Sequence, residues 1–290
     1  MPRRDRSRAA GAARSLSQPG LPRPVAAAHQ HPLKVDICRA FLDRSPAGLH
    51  TAKRLPHGYI PWPPGVATPG VSSFWGSFVN RVLCLIDGFN LYHSLRDCER
   101  DTGARVRWLD LRSLCSSLLH ALPGDCTLGE VVYFSALAHH IELSRPGTIV
   151  RHQQYIDVLR ASGVTIRLGH FKRRRVVCPV CRAARDRYEE KETDVAIASR
   201  LLAPESRERF DLALIVTGDT DLVPAVETAR SGPAALAVAV AFPYRRVNRQ
   251  LRFAADSSLR LGRASYLRHQ FPAAALGSDG GLVLRPIEWA

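Results

Sequence analysis

From residue 79 onward, short apolar runs alternate with stretches of mixed polarity. The runs 82–86, 131–134, 164–168, 212–216 and 236–241 are short and mostly apolar, with Thr165 and Arg167 interrupting the third. Strands buried on both faces of a parallel sheet read this way, whereas a half-exposed strand would alternate. Between them the spacing predicts helices over 91–98, 109–122, 148–161, 189–202 and 222–230. Their stops are chemically reasonable: Pro123-Gly124, Ser162-Gly163 and Ser231-Gly232-Pro233 each break a helix or accept positive φ. Pro224 falls in the first turn of the last helix, where no intrahelical N–H is lost. Strand–helix alternation of this kind predicts one α/β domain over residues 79–265, with a sheet covered on both faces and a loosely defined tail at 266–290.

Residues 1–78 have no such period. They are rich in Arg, Ala, Pro, Ser and Gly, and eleven Lys or Arg face only Asp5, Asp36 and Asp43, a net +8 of the chain's formal +15. This composition predicts disorder. Two further readings compete for the segment. It is a basic arm that grips phosphates, or it is not translated natively. Met1 is the only methionine, so an internal start would use a non-AUG codon, for instance at Val71 or Val79. Arg3-Arg4 is not followed by an apolar signal core, so export is not expected.

The charge and a pI near 10.2 point to a polyanionic partner. Seven cysteines without a signal peptide suit a reducing compartment, and no apolar run approaches the roughly 20 residues of a membrane span. A cytoplasmic protein with no membrane partner is expected. Homo-oligomerisation is left open.

Acidic residues follow two of the apolar runs. Ile86-Asp87-Gly88-Phe89-Asn90 ends the first, and Thr217-Gly218-Asp219-Thr220-Asp221 follows Val216. In open α/β sheets, ligand sites lie beyond the carboxyl ends of the strands. A third acid comes from Glu189-Glu190-Lys191-Glu192-Thr193-Asp194, read as a helix start in which Glu190 and Asp194 share a face. Asp87, Asn90, Asp194, Asp219 and Asp221 offer the oxygen ligands that Mg²⁺ or Mn²⁺ requires, and clustered carboxylates would repel without a cation. Each acid has a competing local reading. Asp219 or Asp221 caps the following helix, Asp87 holds a turn, or Asp194 pairs with Lys191. Two other phosphate chemistries fit poorly: position 89 is Phe where a haloacid-dehalogenase-type phosphatase needs a second Asp, and no Gly-Lys-Ser/Thr loop is present.

The motifs Ile86-Asp87-Gly88-Phe89-Asn90-Leu91-Tyr92, Glu190-Lys191-Glu192-Thr193-Asp194-Val195 and Val216-Thr217-Gly218-Asp219-Thr220-Asp221-Leu222 resemble, in that order, the NYN domain of the PIN-like nuclease superfamily. The resemblance spans most of residues 80–260. It implies a three-layer α/β/α sandwich with a mostly parallel sheet, in which Asp87, Asp194, Asp219 and Asp221 carry catalysis. Together with Asn90 they would hold Mg²⁺ or Mn²⁺, and the substrate would be RNA.

Between the third strand and the helix predicted at 189 lies Phe171-Lys172-Arg173-Arg174-Arg175-Val176-Val177-Cys178-Pro179-Val180-Cys181-Arg182. The expectation is a basic loop over 171–188. Lys172, Arg173, Arg174, Arg175 and Arg182, with Arg185 and Arg187, would contact RNA phosphates, against the plain reading of a solvated charge run. Tyr92, Phe171 and Tyr188 are candidate base stackers or core residues. Arg245, Arg246, Arg249 and Arg252 would extend the track. Cys178 and Cys181 have the spacing of two zinc thiolates, with His170 or a partner chain supplying the rest; the competing reading is a reduced surface pair. His139-His140 is read as surface loop. Three functions follow: a metal-dependent ribonuclease, an RNA-binding or scaffold module with little catalysis, and a small-molecule phosphohydrolase that the basic loop disfavours.

Overall fold

The computed structural model describes residues 79–231 and 235–290. The expectations for 1–78, and the helix stop at Gly232-Pro233, lie outside these residues. The chain runs β1 (Asn80–Asp87), α1 (Gly88–Thr102), α2 (Leu111–Leu118), β2 (Cys126–Ala136), α3 (Thr148–Ala161), β3 (Thr165–Val177), β4 (Ala184–Lys191), α4 (Thr193–Leu202), α5 (Pro204–Arg209), β5 (Leu212–Val216), α6 (Val223–Ala229), β6 (Ala237–Phe242), α7 (Arg249–Ala254), β7 (Ser257–Arg260) and α8 (Arg263–Arg268). A small antiparallel pair, β8 (Ala274–Leu276) and β9 (Leu282–Leu284), closes the chain.

Seven strands form one sheet in the order β4-β3-β2-β1-β5-β6-β7. Every pair is parallel except β3 with β4. From β1 the chain builds outward through β2 to β4, then returns to the other side of β1 for β5, β6 and β7. The order therefore reverses between β1 and β5, where a ligand crevice forms in such sheets.

Side chains of the central strands divide between two cores. Val82, Cys84 and Ile86 of β1, with Leu212, Leu214 and Val216 of β5, face α1, α2 and α3. Leu83, Leu85, Ala213 and Ile215 point the other way, toward Ile197 and Leu201 of α4, Val226 of α6 and Leu251 of α7. Period-two alternation of wholly apolar strands thus yields the expected three layers.

Two regions depart from the sequence reading. Residues 171–188, expected as a loop, are the distal part of β3, a tight turn and most of β4. Residues 189–191 belong to β4, and the helix begins only at Thr193. Beyond residue 265 the chain is not loose: Tyr266, Phe271, Ala275 and Trp289 join the first core, and the Trp108 indole N–H donates to the Pro272 carbonyl at 2.9 Å. Among the described residues no helix is long and apolar enough to cross a membrane.

Candidate metal centre and nucleic-acid face

The β1–β5 register pairs Ile86 with Val216, so Asp87 and Thr217 leave the sheet side by side. Asp87 ends β1 in extended conformation and caps α1, its Oδ1 accepting from the Asn90 N–H at 3.0 Å. Its Oδ2 accepts from the Thr217 hydroxyl at 2.8 Å. Thr217 Oγ1 in turn accepts the Asp219 N–H at 3.1 Å, and Asn90 Oδ1 accepts the Gly218 N–H at 3.0 Å. The two strand ends are therefore tied into one unit. Glycine is obligatory at both: a Cβ at position 88 would stand 2.4 Å from the Phe134 carbonyl oxygen, and one at 218 would stand 2.1 Å from that of Arg246.

Asp194 follows the edge strand β4. β4 runs back toward the site, Glu192 takes a positive φ of 80° that turns the chain sharply, and α4 starts with Asp194 in its first turn. Glu190 caps that start, its Oε1 accepting from both the N–H and the hydroxyl of Thr193. Glu190 and Asp194 thus do not share a helical face as expected. Glu190 sits on β4 opposite Phe171, one turn of chain before the helix.

One carboxylate oxygen from each of Asp87, Asp194 and Asp219 lies within 4.8 Å of the other two. Among the described residues none of the three pairs with a Lys or Arg within 4.0 Å, so their repulsion is not offset by a neighbouring side chain. Burial, then the charges of Asp87, Asp219, Glu190 and Asp221, push Asp194 from 3.8 to about 6. Asp87, only 3% exposed, is raised by burial, while the bonds from Asn90 and Thr217 pull it back. Each Asp87 oxygen accepts one hydrogen bond and keeps a further lone pair. Three converging, half-dry, unpaired carboxylates suit a hard divalent cation.

The other expected ligands stand back. Asn90 spends its carbonyl on Gly218. Asp221 is exposed, and its N–H donates to Asp219 Oδ1 at 3.0 Å, so the capping carboxylate of this turn is Asp219. Thr217 is the functional residue that the sequence reading leaves without a role. A hydroxyl two residues before Asp219, in a turn leaving a strand, is the signal that points to it.

The β3–β4 hairpin sorts its side chains by parity. Register places His170, Lys172, Arg174, Arg185, Arg187 and Lys191 on one face around Glu189, and Phe171, Arg173, Arg175, Asp186, Tyr188 and Glu190 on the other. Arg173 and Arg174 approach Asp186 and Glu189 only to 3.8 and 3.9 Å and stay largely exposed. The arm reaches about 26 Å from Gly169 to Val177 at roughly 3.3 Å per residue. Arg182, at positive φ in the tip, is thus far from the acids. Tyr188 stacks on His140 and Phe171 meets it edge-on, with ring centroids at 4.3 and 4.5 Å, so His140 belongs to an aromatic cluster rather than a free loop. Tyr92 is exposed on α1 and accepts from Arg96. The second basic group is mostly engaged: Arg245 and Arg246 bind Asp101 and Asp97 at 2.9 and 2.5 Å, and Arg249 lies over Phe253. Arg252 lies on α7.

At the tip, backbone N–H groups of Cys181 and Val180, and the Cys181 side chain, lower the Cys178 thiol. His170 lies eight residues down β3, beside Glu192 at 3.3 Å, and cannot complete a zinc site there. Among the described residues the Asp87, Asp194 and Asp219 group is the one cluster of three metal-ligating side chains, and all six described cysteines are free.

A sequence model of the NYN domain matches residues 81–262. No curated protein matches the chain. Among solved structures, a protein of unknown function from Vibrio parahaemolyticus RIMD 2210633 is 17% identical, with a TM-score of 0.43, over 64% of this chain and 94% of that one.

Proposed function

From the premise that the chain belongs to the NYN domain family, we propose that it is a metal-dependent ribonuclease, an endonuclease hydrolysing RNA phosphodiester bonds. The observation that carries this reading is the convergence of Asp87, Asp194 and Asp219 within 4.8 Å, with no cationic side chain among the described residues paired to them. A divalent cation, Mg²⁺ or Mn²⁺, supplies charge neutralisation of the scissile phosphate and activation of water when bound. Asp87, Asp194 and Asp219 would hold it directly. Asn90 and Thr217 keep Asp87 and the Gly218–Asp219 turn in position, and Asp221 adds negative charge at the rim.

The cationic face of the hairpin supports the choice of a polyanion as substrate. Lys172, Arg174, Arg185 and Arg187 share one face of a strand pair whose second strand is followed, after the turn at Glu192, by the Asp194 helix. Arg173, Arg175 and Arg182 add charge on the other face and at the tip. Zinc at Cys178 and Cys181 is not part of this reading, since two thiolates make half a structural site. A cytoplasmic location completes this reading, supported by free cysteines at all six described positions.

The test is cleavage of labelled single-stranded and structured RNA in Mn²⁺, Mg²⁺ or EDTA, with Asp219→Asn in parallel. Cleavage is expected with metal and lost, by at least about 10²-fold, in the variant. Cleavage that persists in EDTA and in Asp219→Asn would end the metal mechanism. RNA binding without cleavage would instead favour a binding or scaffold module.

A further inference from the structure

The turn that gives Asp87 to the acidic cluster gives its next two residues, Gly88 and Phe89, to the wall of a separate cavity of 440 Å³. That volume lies within the range of sites for single small ligands. Its walls are aromatic on several sides, from Phe89, Tyr133, Tyr155, Phe171 and Trp289, contributed by segments far apart in the chain. The aromatic rings pack on one another, with Tyr133–Tyr155 at 6.2 Å, Tyr155–Trp289 at 5.9 Å and Phe89–Phe171 at 5.4 Å between centroids.

Polar atoms interrupt this lining at a few points. Ser135, 3% exposed, has its hydroxyl 3.4 Å from His152 Nε2, and burial holds His152 down at about 4, so it is a neutral imidazole with one donor and one acceptor. His140 Nδ1 is buried with no hydrogen-bond partner among the described residues. Arg96 and Arg145 also line the cavity and are exposed; neither forms an ion pair with a described carboxylate within 4.0 Å, whereas Arg151 is bound to Glu288 at 2.7 Å. Apolar ring faces, a sparse set of neutral donors and acceptors, and guanidinium groups outside any ion pair match a flat heterocycle carrying a phosphate.

We propose that this cavity receives one unstacked base of the RNA strand, next to the nucleotide step presented to the acidic cluster, with Arg96 and Arg145 on the adjoining phosphate. This rests on the ribonuclease reading for the identity of the strand. The consequence is substrate choice: a base enters most readily from a single-stranded or looped segment, so paired RNA is disfavoured by the energy of unstacking and unpairing, on the order of a few kcal/mol.

The test uses the full chain in two arms. In EDTA, adenosine and uridine 5′-monophosphates are titrated calorimetrically; in Mn²⁺, kcat and KM are measured for a single-stranded RNA and for a duplex of the same sequence. The variants are Ala138→Phe, which fills the cavity, and Arg145→Ala, at an exposed position that leaves the fold intact. At least one monophosphate is expected to bind at one site per chain. Both variants should weaken it about tenfold, the size of one base stack, and raise KM for single strands about tenfold with kcat nearly unchanged. Duplex cleavage as fast as single-strand cleavage, or an unchanged KM in both variants, overturns the proposal. So do monophosphate binding that the variants weaken while RNA kinetics stay the same, which would make the cavity a free-nucleotide site, and a change of oligomeric state on filling it. If the wild type binds monophosphate and single-stranded RNA through these residues but cleaves neither RNA, the cavity assignment stands and the nuclease reading falls.

Discussion

The Thr217 hydroxyl donates to Asp87 at 2.8 Å while accepting the Asp219 N–H at 3.1 Å, so one side chain fixes the spacing of two of the three converging acids. Thr217 is wholly buried. Thr217→Val keeps the shape and removes both bonds. The expected loss is about 1–3 kcal/mol of stability, because a buried carboxylate loses a donor, and about 10–100-fold in Mn²⁺ affinity. Urea unfolding and calorimetric titration read the two effects; a variant with wild-type metal affinity would remove Thr217 from the site.

Asp194 sets the pH response of the cluster. Its folded-state value of about 6 lies above the ordinary 3.8, so between these values the folded protein holds a proton that the unfolded chain has released. Stability contributed here is present at low pH and is lost as pH rises toward 6. In EDTA, the melting temperature of Asp194→Asn minus that of the wild type should therefore grow from pH 4 to pH 6 and then level off. Mn²⁺ should raise the wild-type value most above pH 6, where no proton competes. A pH-independent difference would refute this.

The glycine at position 218 is a steric requirement. Alanine there would put its Cβ 2.1 Å from the Arg246 carbonyl oxygen, and backbone, unlike a flexible side-chain end, cannot swing away. Gly218→Ala should cost about 1–3 kcal/mol by overpacking, seen in urea denaturation, and should abolish cleavage by displacing Asp219.

The hairpin gives a salt signature. Replacing residues 172–175 by Ala should weaken single-stranded RNA binding and reduce the slope of log K against log salt by about 0.7 for each phosphate that is no longer neutralised. Arg173 and Arg174 are 68% and 72% exposed, so their loose ion pairs should not withhold them from phosphate. A slope identical to wild type would take the arm out of RNA binding.

His152 should remain neutral across the physiological range. Its imidazole is held down to about 4 by burial, so its NMR resonances should not titrate between pH 5 and 8. Because the unfolded chain takes up this proton near 6.5, stability should fall as pH drops from 6.5 toward 4, and His152→Gln should flatten that fall. A midpoint near 6.5 in the folded protein would contradict the buried placement.

The central strands were readable because β1, β5 and β6 are buried on both faces, so their apolar runs carry no competing signal. Asp87 and Asp219 were readable because turn residues and acids abut those runs, and Asp194 because it stands at the start of a helix. β4 was not. Its residues Ala184–Lys191 have no apolar period at all, since an edge strand projecting into solvent is stabilised by its ladder to β3 and not by a buried face. The same gap displaced Glu190 onto a helix it does not join. The cavity was invisible for another reason: Phe89, Tyr155 and Trp289 are separated by most of the chain, and only tertiary packing brings them together.

Parity governs how the β3–β4 arm can change. Lys172, Arg174, Arg185 and Arg187 share a side because each strand alternates strictly from Gly169 to the tip and back to Lys191. Adding one residue to each strand near the tip lengthens the arm while everything nearer the acids keeps its side. A single residue added to one strand close to the sheet turns over all that lies beyond it, exchanging the cationic face for the one bearing Phe171 and Tyr188. The reach of the arm is thus free to drift, while its chemistry is locked to the evenness of the count.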